Sequence, residues 1–145
     1  MDSVSIPSRD RVDILRQWLP VIAWGVVIFI FSSSGFTPVR TARMIEPASG
    51  AVIPGVTAIG AGVIHVLSRK LAHFIEYGVL YWLLVRGPMA ERRGWALLIC
   101  VIYALTDEGH QIFVPGRGPS LFDVGLDASG GLFCRYLLDF IREVA

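Results

Sequence analysis

Three stretches of this 145-residue chain place acids, histidines and bases at helical spacing within otherwise apolar sequence. Side chains three and four residues apart lie on one face of a helix, so each stretch presents one polar face. Carboxylates buried beside histidines often suit general acid–base catalysis. The candidate catalytic residues are His73, Glu76, Asp107 and Glu108, and the candidate ligand-binding residues are Lys70, Tyr77, His110, Gln111, Arg117, Asp123 and Asp127.

The same spacing leaves metal binding open. His73-x-x-Glu76 and Asp107-x-x-His110 each place two potential ligands on one helix face, and paired helices with such spacing hold metals in helical bundles. The chain contains no standard zinc or calcium signature. The sequence therefore leaves undetermined whether the site holds a metal or another cofactor, and whether it is catalytic.

Arg117 lies in a segment that suits an anion. Gly116 and Gly118 flank it, and Pro115 and Pro119 bracket the glycines. Such a loop can expose backbone N–H groups beside the guanidinium, close to the positive N-terminus of the following helix. The segment therefore predicts contact with a phosphate, and an interfacial anchor is the alternative role for the arginine.

Structural roles compete with these functional ones. Buried polar side chains also hydrogen-bond neighbouring helices together, which would account for His73, Glu76, Asp107 or Gln111 taken singly. The stretch from Ser120 to Asp123 fits a capping box at a helix start. The whole set is one-sided and multiply charged, and this favours a site over a purely structural layer.

Composition restricts the class of protein that must position these residues. Hydrophobic residues make up 54% of the chain and charged residues 17%, against about 25% charged residues in an ordinary soluble domain. This composition excludes disorder and predicts a small integral membrane protein. The net charge of +1 gives no support to a nucleic-acid partner. We expect one all-α domain over 1–145, a membrane four-helix bundle with spans at about 18–34, 71–86, 95–114 and 121–141.

Two segments allow a second interpretation. The first apolar run could be a cleaved signal peptide rather than a retained span, because small residues follow it. Between the first two spans, apolar residues recur at steps of three and four over 51–67, which predicts an additional helix. We expect that helix to be interfacial or re-entrant, and a true span is the alternative.

Loop charges predict the orientation. Arg86, Arg92 and Arg93 lie in or beside the short loop after the second span, and both termini are also rich in arginine. The positive-inside rule assigns this face to the cytoplasm, so both termini are expected there. The start of the second span, the end of the third and the start of the fourth would then meet at the outer face.

The polar residues at that end do not balance in charge. Compensation requires protonated histidine or carboxyl groups, a bound cation, or water from an open cavity. The cluster counts five acids (Glu76, Asp107, Glu108, Asp123, Asp127) against three bases (Arg69, Lys70, Arg117).

At these residues the chain resembles the VanZ-like family of small bacterial membrane proteins. Three pieces carry the match: residues 70–77, residues 107–117, and Asp123 with Asp127 and the Gly130-Gly131 pair. The resemblance implies a four-helix protein of the bacterial inner membrane. The family's founding member belongs to a glycopeptide-resistance cluster and raises tolerance to teicoplanin, but the resemblance supplies no reaction. Asp127 stands where the family pattern usually has Asn, which adds an acid.

Three hypotheses remain open from the sequence. The first is binding of an anionic lipid-linked cell-envelope molecule, or a phospholipid, at the outer leaflet. The second is a membrane-embedded enzyme that acts on a lipid headgroup or a phosphate ester, with His73 or Glu76 as base and Asp107 or Glu108 orienting it or holding a metal. The third is a structural or accessory subunit, and any of the three is compatible with an oligomer.

Overall fold

The computed structural model describes residues 8–33, 58–114 and 118–145. These residues contain no strand and form four α-helices: α1 (Ser8–Ser32), α2 (Ala58–Arg86), α3 (Arg93–Gln111) and α4 (Leu121–Val144). The prediction of an all-α chain with four main helices is therefore confirmed.

The start of α2 differs from the sequence-based boundary. The apolar spacing predicts a separate interfacial or re-entrant helix over 51–67 and a second span from residue 71. In the structure α2 is continuous from Ala58 to Arg86, because Pro54 precedes it and no proline occurs within it. Residues 51–57 lie outside the described part of the chain. From Ala58 onward, the residues that precede the predicted second span therefore form the first turns of α2.

The helices alternate in direction along the chain. Helix α1 runs antiparallel to α2, because Trp24 Nε1 donates to the Glu76 carbonyl oxygen at 2.9 Å while Gly87 lies beside Gln17. Helix α3 runs antiparallel to α4, and the Arg93–Asp139 ion pair joins their far ends. The end of α3 and the start of α4 are consequently close in space.

Small residues let α2 and α4 approach closely. A Cβ atom at Gly130 would overlap the Phe74 carbonyl oxygen, and a Cβ atom at Gly78 would lie 3.4 Å from the Gly130 carbonyl oxygen. Small residues at helix contacts are typical of membrane bundles, where packing rather than hydrophobic burial drives association. The α2–α4 contact is the most extensive between any two of these helices.

The interior is small and the exterior is apolar. Among the fully buried side chains are Ile28, Tyr77, Tyr81, Leu84 and Cys100. Large apolar side chains are exposed on all four helices, for example Leu19, Leu71, Leu105 and Phe133. Soluble proteins rarely expose apolar surface of this extent, so the bundle's outer surface suits a hydrocarbon environment. Cys100 is buried, Cys134 is half-buried, and neither forms a disulfide.

One helix in the described part of the chain is long and apolar enough to cross a membrane by length and composition. It is the stretch Val12–Ser32 of α1, with mean hydropathy 1.9. A signal sequence satisfies the same criteria, but α1 also contributes Val21 and Ile28 to the buried core. Tyr103 of α3 donates a hydrogen bond to the Gly25 carbonyl oxygen at 2.6 Å. Helix α1 is therefore an integral part of the bundle.

The close approach of α2 and α4 predicts that Gly130→Ala destabilises the fold. The added methyl group must displace the backbone of α2 at Phe74, and overpacking of this kind costs about 1–3 kcal/mol. Denaturant unfolding of the purified protein in detergent measures the change in the free energy of unfolding.

Gly125→Ala on the same helix is the matched control. A Cβ atom there meets no atom within 4 Å, and alanine is the better helix former by roughly 1 kcal/mol. This variant should be as stable as the wild type or more stable. Equal stability of both variants would show that α2 and α4 are not in close contact at Gly130.

Candidate functional site

Segments of all four helices meet at one end of the bundle. Ser32 ends α1, residues 70–77 lie in the middle of α2, residues 107–111 end α3, and residues 120–127 cap and begin α4. The structure therefore brings together most of the residues that the sequence singles out, although they are up to 57 positions apart between Lys70 and Asp127. The alternating helix directions produce this convergence.

A buried hydrogen bond joins α1 to α3. Ser32 Oγ donates to Asp107 Oδ2 at 2.7 Å, and both side chains are buried. Gln111 Nε2 lies 3.3 Å from Ser32 Oγ and 3.4 Å from the same Asp107 oxygen. One oxygen of Asp107 is thus held by α1 and by the next turn of α3.

Glu108 joins α3 to the start of α4. Gln111 Nε2 donates to Glu108 Oε1 at 2.8 Å, and the backbone N–H of Ser120 donates to Glu108 Oε2 at 2.7 Å. Ser120 in turn caps α4, since its Oγ accepts from the Asp123 N–H at 3.3 Å. Both oxygens of Glu108 are used in these contacts. Glu108 is therefore a structural acceptor here, and the predicted cap at Ser120 is present.

A small cavity opens between α2, α3 and α4. Its volume is about 20 Å³, which is room for roughly one water molecule. It connects the exposed rim of the bundle with the buried carboxylates below. Its lining consists of Arg69, Lys70, His73, Glu108, Asp123, Leu126 and Asp127.

Two cations stand at the rim of this cavity. Lys70 forms an ion pair with Asp123, and its ammonium group lies 5.0 Å from the centre of the Phe122 ring. Arg69 has no hydrogen bond or ion pair among the described residues. Burial lowers the pKa of the Arg69 guanidinium, while the carboxylates of Asp123 and Glu108 act in the opposite direction. Arg69 nevertheless stays charged, because arginine is not deprotonated in proteins.

Three carboxylates surround His73 below the rim. His73 Nδ1 lies 3.9 Å from Glu76 Oε2 and 3.7 Å from Asp127 Oδ1, distances that exceed a hydrogen bond. Asp107 completes the group from α3, and one ligand atom each of His73, Asp107 and Asp127 lies within 4.8 Å of the other two. Glu76 Oε2, Asp107 Oδ1 and both oxygens of Asp127 accept no hydrogen bond within the described residues.

The remaining predicted site residues lie around this core or apart from it. Tyr77 is fully buried, and its ring lies 6.2 Å from that of Tyr103. The His110 ring packs on Phe29 of α1, with 4.6 Å between ring centres, and does not line the cavity. The pair Asp107-x-x-His110 is thus divided in the structure, because Asp107 faces His73 and Asp127. Arg117, with Pro115 and Gly116, lies outside the described residues.

Ser32 is a site residue that sequence reasoning missed. It ends an apolar helix and belongs to no catalytic motif. No histidine or carboxylate that could act as its general base lies near it in the sequence. The only sequence signal is its position at the end of the first apolar run. Its hydrogen bond to Asp107 depends on how α1 packs against α3.

Comparison with known proteins adds one finding. A family model described as VanZ/LLP1 matches residues 17–142, which is most of the chain. No curated protein and no solved structure matched. The matched range includes all the site segments described above.

The buried bond between α1 and α3 predicts that Ser32→Ala destabilises the bundle. Without the hydroxyl donor, Asp107 Oδ2 keeps only the longer contact with Gln111 among the described residues, and a buried acceptor left in this state costs about 1–3 kcal/mol. Denaturant unfolding in detergent measures the loss.

The neighbouring serine supplies the control. Ser33 Oγ donates to the Phe29 carbonyl oxygen one helical turn back, at 2.7 Å and at an exposed position. Ser33→Ala should therefore change the free energy of unfolding by less than about 0.5 kcal/mol. If the two variants unfold alike, the Ser32–Asp107 bond does not stabilise the bundle.

Proposed function

This chain belongs to the VanZ/LLP1 family, and from that premise we propose that it is a multi-pass protein of the bacterial inner membrane that binds an anionic lipid-linked cell-envelope molecule. The family is membrane-associated. The ligand would lie over the mouth of the cavity at the end of the bundle where the polar segments converge, and its phosphate or carboxylate would contact Arg69 and Lys70 at the rim.

The apolar exterior supports the multi-pass arrangement. Exposed large apolar side chains occur along every described helix, whereas most of the buried charged side chains belong to the site cluster. Helices α2, α3 and α4 carry those charged residues, which lowers their hydropathy. A charged residue within a membrane is tolerated where it faces the bundle interior or a wet cavity, and this is the position of His73, Asp107 and Asp127.

Charge distribution supports the orientation with both termini in the cytoplasm. At the end opposite the cavity, Arg93 pairs with Asp139, Arg135 Nε lies 3.8 Å from the same carboxylate, and Arg86 lies over the Trp82 ring. The short connection between α2 and α3 adds Arg92. An arginine-rich short loop is typical of the cytoplasmic face, so the cavity would open to the outer leaflet.

A topology reporter tests this orientation. Green fluorescent protein fused after Ala145 should fluoresce, because it folds in the cytoplasm, and alkaline phosphatase fused there should be inactive. The same two reporters inserted after Gly118, at the cavity end, should give the opposite result: active alkaline phosphatase and no fluorescence. Active phosphatase at Ala145 would refute the orientation and place the cavity at the inner leaflet.

The observation that carries the ligand proposal is a cavity with an arginine, Arg69, at its rim. Arg69 has no polar partner among the described residues, although it lines the cavity. A guanidinium presents a rigid fork of donors that matches phosphate and carboxylate groups. Lys70 is the second cation of this rim.

Ligand binding predicts a loss of affinity in Arg69→Ala. Farnesyl phosphate serves as a lipid monophosphate probe in detergent, with farnesol as its uncharged analogue and inorganic phosphate as its lipid-free one. Because a hydrogen bond to a charged group contributes about 1.5–3 kcal/mol, Arg69→Ala should weaken farnesyl phosphate binding about 10- to 100-fold. Titration calorimetry measures the affinity.

Arg86→Ala is the matched control at the opposite end, and it should bind farnesyl phosphate as the wild type does. Equal losses in both variants would indicate unspecific attraction to charge and contradict a site at Arg69. If farnesol binds as tightly as farnesyl phosphate, the anionic headgroup is not what the cavity recognises.

In cells, the proposal includes raised tolerance to teicoplanin, which Arg69→Ala should reduce and Arg86→Ala should not.

A membrane-embedded enzyme is the second candidate function. The observation that favours it is the position of His73 between the carboxylates of Glu76 and Asp127, an arrangement that can orient an imidazole as a general base. Release of inorganic phosphate from farnesyl phosphate in the same samples would support hydrolysis. An accessory subunit without a ligand is the outcome if neither binding nor release occurs.

A further inference from the structure

Several carboxylate oxygens around His73 are buried without a hydrogen-bond donor among the residues that the structure describes. Asp127 is 1% exposed and Asp107 is 3% exposed. Both oxygens of Asp127 and Oδ1 of Asp107 have no hydrogen-bond partner within the described residues. Removing a carboxylate from water without such partners costs several kcal/mol. A second group that binds these oxygens would offset this cost.

The separations of these atoms match the requirements of a single metal ion. Ligands of tetrahedral zinc lie 2.0–2.2 Å from the ion and therefore about 3.4 Å from one another. His73 Nδ1 and Asp127 Oδ1 are 3.7 Å apart. The whole group, with Asp107, lies within 4.8 Å, so shifts of roughly an ångström or less would bring all three atoms into contact with one ion.

The surroundings of the ligands also fit. Ser32 and Gln111 hold Asp107 Oδ2 and leave Oδ1 for coordination, which is how outer hydrogen bonds orient metal-binding carboxylates. Glu76 Oε2, 3.9 Å from His73 Nδ1, is a candidate fourth ligand. The cavity reaches His73 and Asp127 from the rim and supplies the route by which an ion would arrive.

The donor set indicates the class of ion. Imidazole nitrogen combined with carboxylate oxygen suits first-row transition metals, whereas magnesium and calcium prefer oxygen alone. We propose that His73, Asp107 and Asp127 bind one divalent transition-metal ion, with Zn²⁺ as the representative, in a buried site between α2, α3 and α4. The site lies below Arg69 and Lys70 and does not depend on the lipid-linked ligand proposed above.

Metal loading of the purified protein tests the site. The full chain in detergent is stripped with a chelator, incubated with Zn²⁺, desalted and measured by inductively coupled plasma mass spectrometry. We expect about one Zn²⁺ per chain and a rise in melting temperature on loading. Zinc K-edge absorption should show nitrogen and oxygen neighbours at about 2.0–2.2 Å, with an imidazole and no sulfur.

Two pairs of variants locate the ion. Asp127→Asn and His73→Gln should each weaken Zn²⁺ binding at least tenfold. Their matched controls are Asp139→Asn, at the opposite end of the bundle, and His110→Gln, which replaces a ring that packs against Phe29. Both controls should bind Zn²⁺ as the wild type does. Reduced binding in the controls equal to that in the site variants would overturn the assignment.

The wild-type measurement keeps the test decisive if a variant fails to fold. Less than a tenth of an equivalent of Zn²⁺ in the reloaded wild type would overturn the proposal, and so would a sulfur neighbour in the absorption spectrum. Affinity for Mg²⁺ equal to that for Zn²⁺ would contradict coordination by His73. Zinc binding without any affinity for farnesyl phosphate would sustain this inference and refute only the ligand proposed above.

Discussion

The burial of several carboxylates within one layer of the bundle is the constraint on which the rest of the structure depends. Asp107, Glu108 and Asp127 come from two helices and are all nearly inaccessible to solvent. Each needs donors or a counter-charge, because an isolated buried carboxylate is strongly unfavourable. Glu108 obtains them from Gln111 and the cap of α4, and Asp107 obtains one from Ser32. Asp127 obtains no hydrogen bond from the described residues. Glu108 is therefore part of the scaffold, whereas Asp127 belongs to the candidate site.

Close helix packing makes this layer possible. Gly130 lies one turn below Asp127 on α4, and its lack of a side chain allows α4 to contact the backbone of α2 at Phe74. Phe74 is next to His73, so the same contact that joins the helices brings His73 near Asp127. The hydrogen bonds that fix α1 and α4 to the end of α3 surround the cavity with rigid elements. A site on packed helices is held more accurately than one on loops.

The two ends of the bundle have different electrostatic characters. At the cavity end, acids lie inside and Arg69 and Lys70 stand at the rim. At the other end, Arg93 and Arg135 share Asp139 close to the surface. At the cavity end the charged groups are separated by depth, with the acids buried and the bases at the rim. At the other end they pair with one another near the surface. This asymmetry is the basis of the proposed orientation, with the cavity end as the proposed ligand-binding end.

Hydropathy and spacing in the sequence determined the all-α class, the four main helices and a polar face on α2, α3 and α4, because helical periodicity is a local property. They also indicated the family through residues 70–77 and 107–117. They misplaced the start of α2, since apolar spacing alone does not show where one helix becomes another. Only the tertiary structure decided that Ser32 holds Asp107, that His110 packs on Phe29, and that His73 meets Asp127 from 54 positions away. The physical reason is that such contacts depend on helix rotation and separation, which close packing at glycines sets and which no single segment encodes.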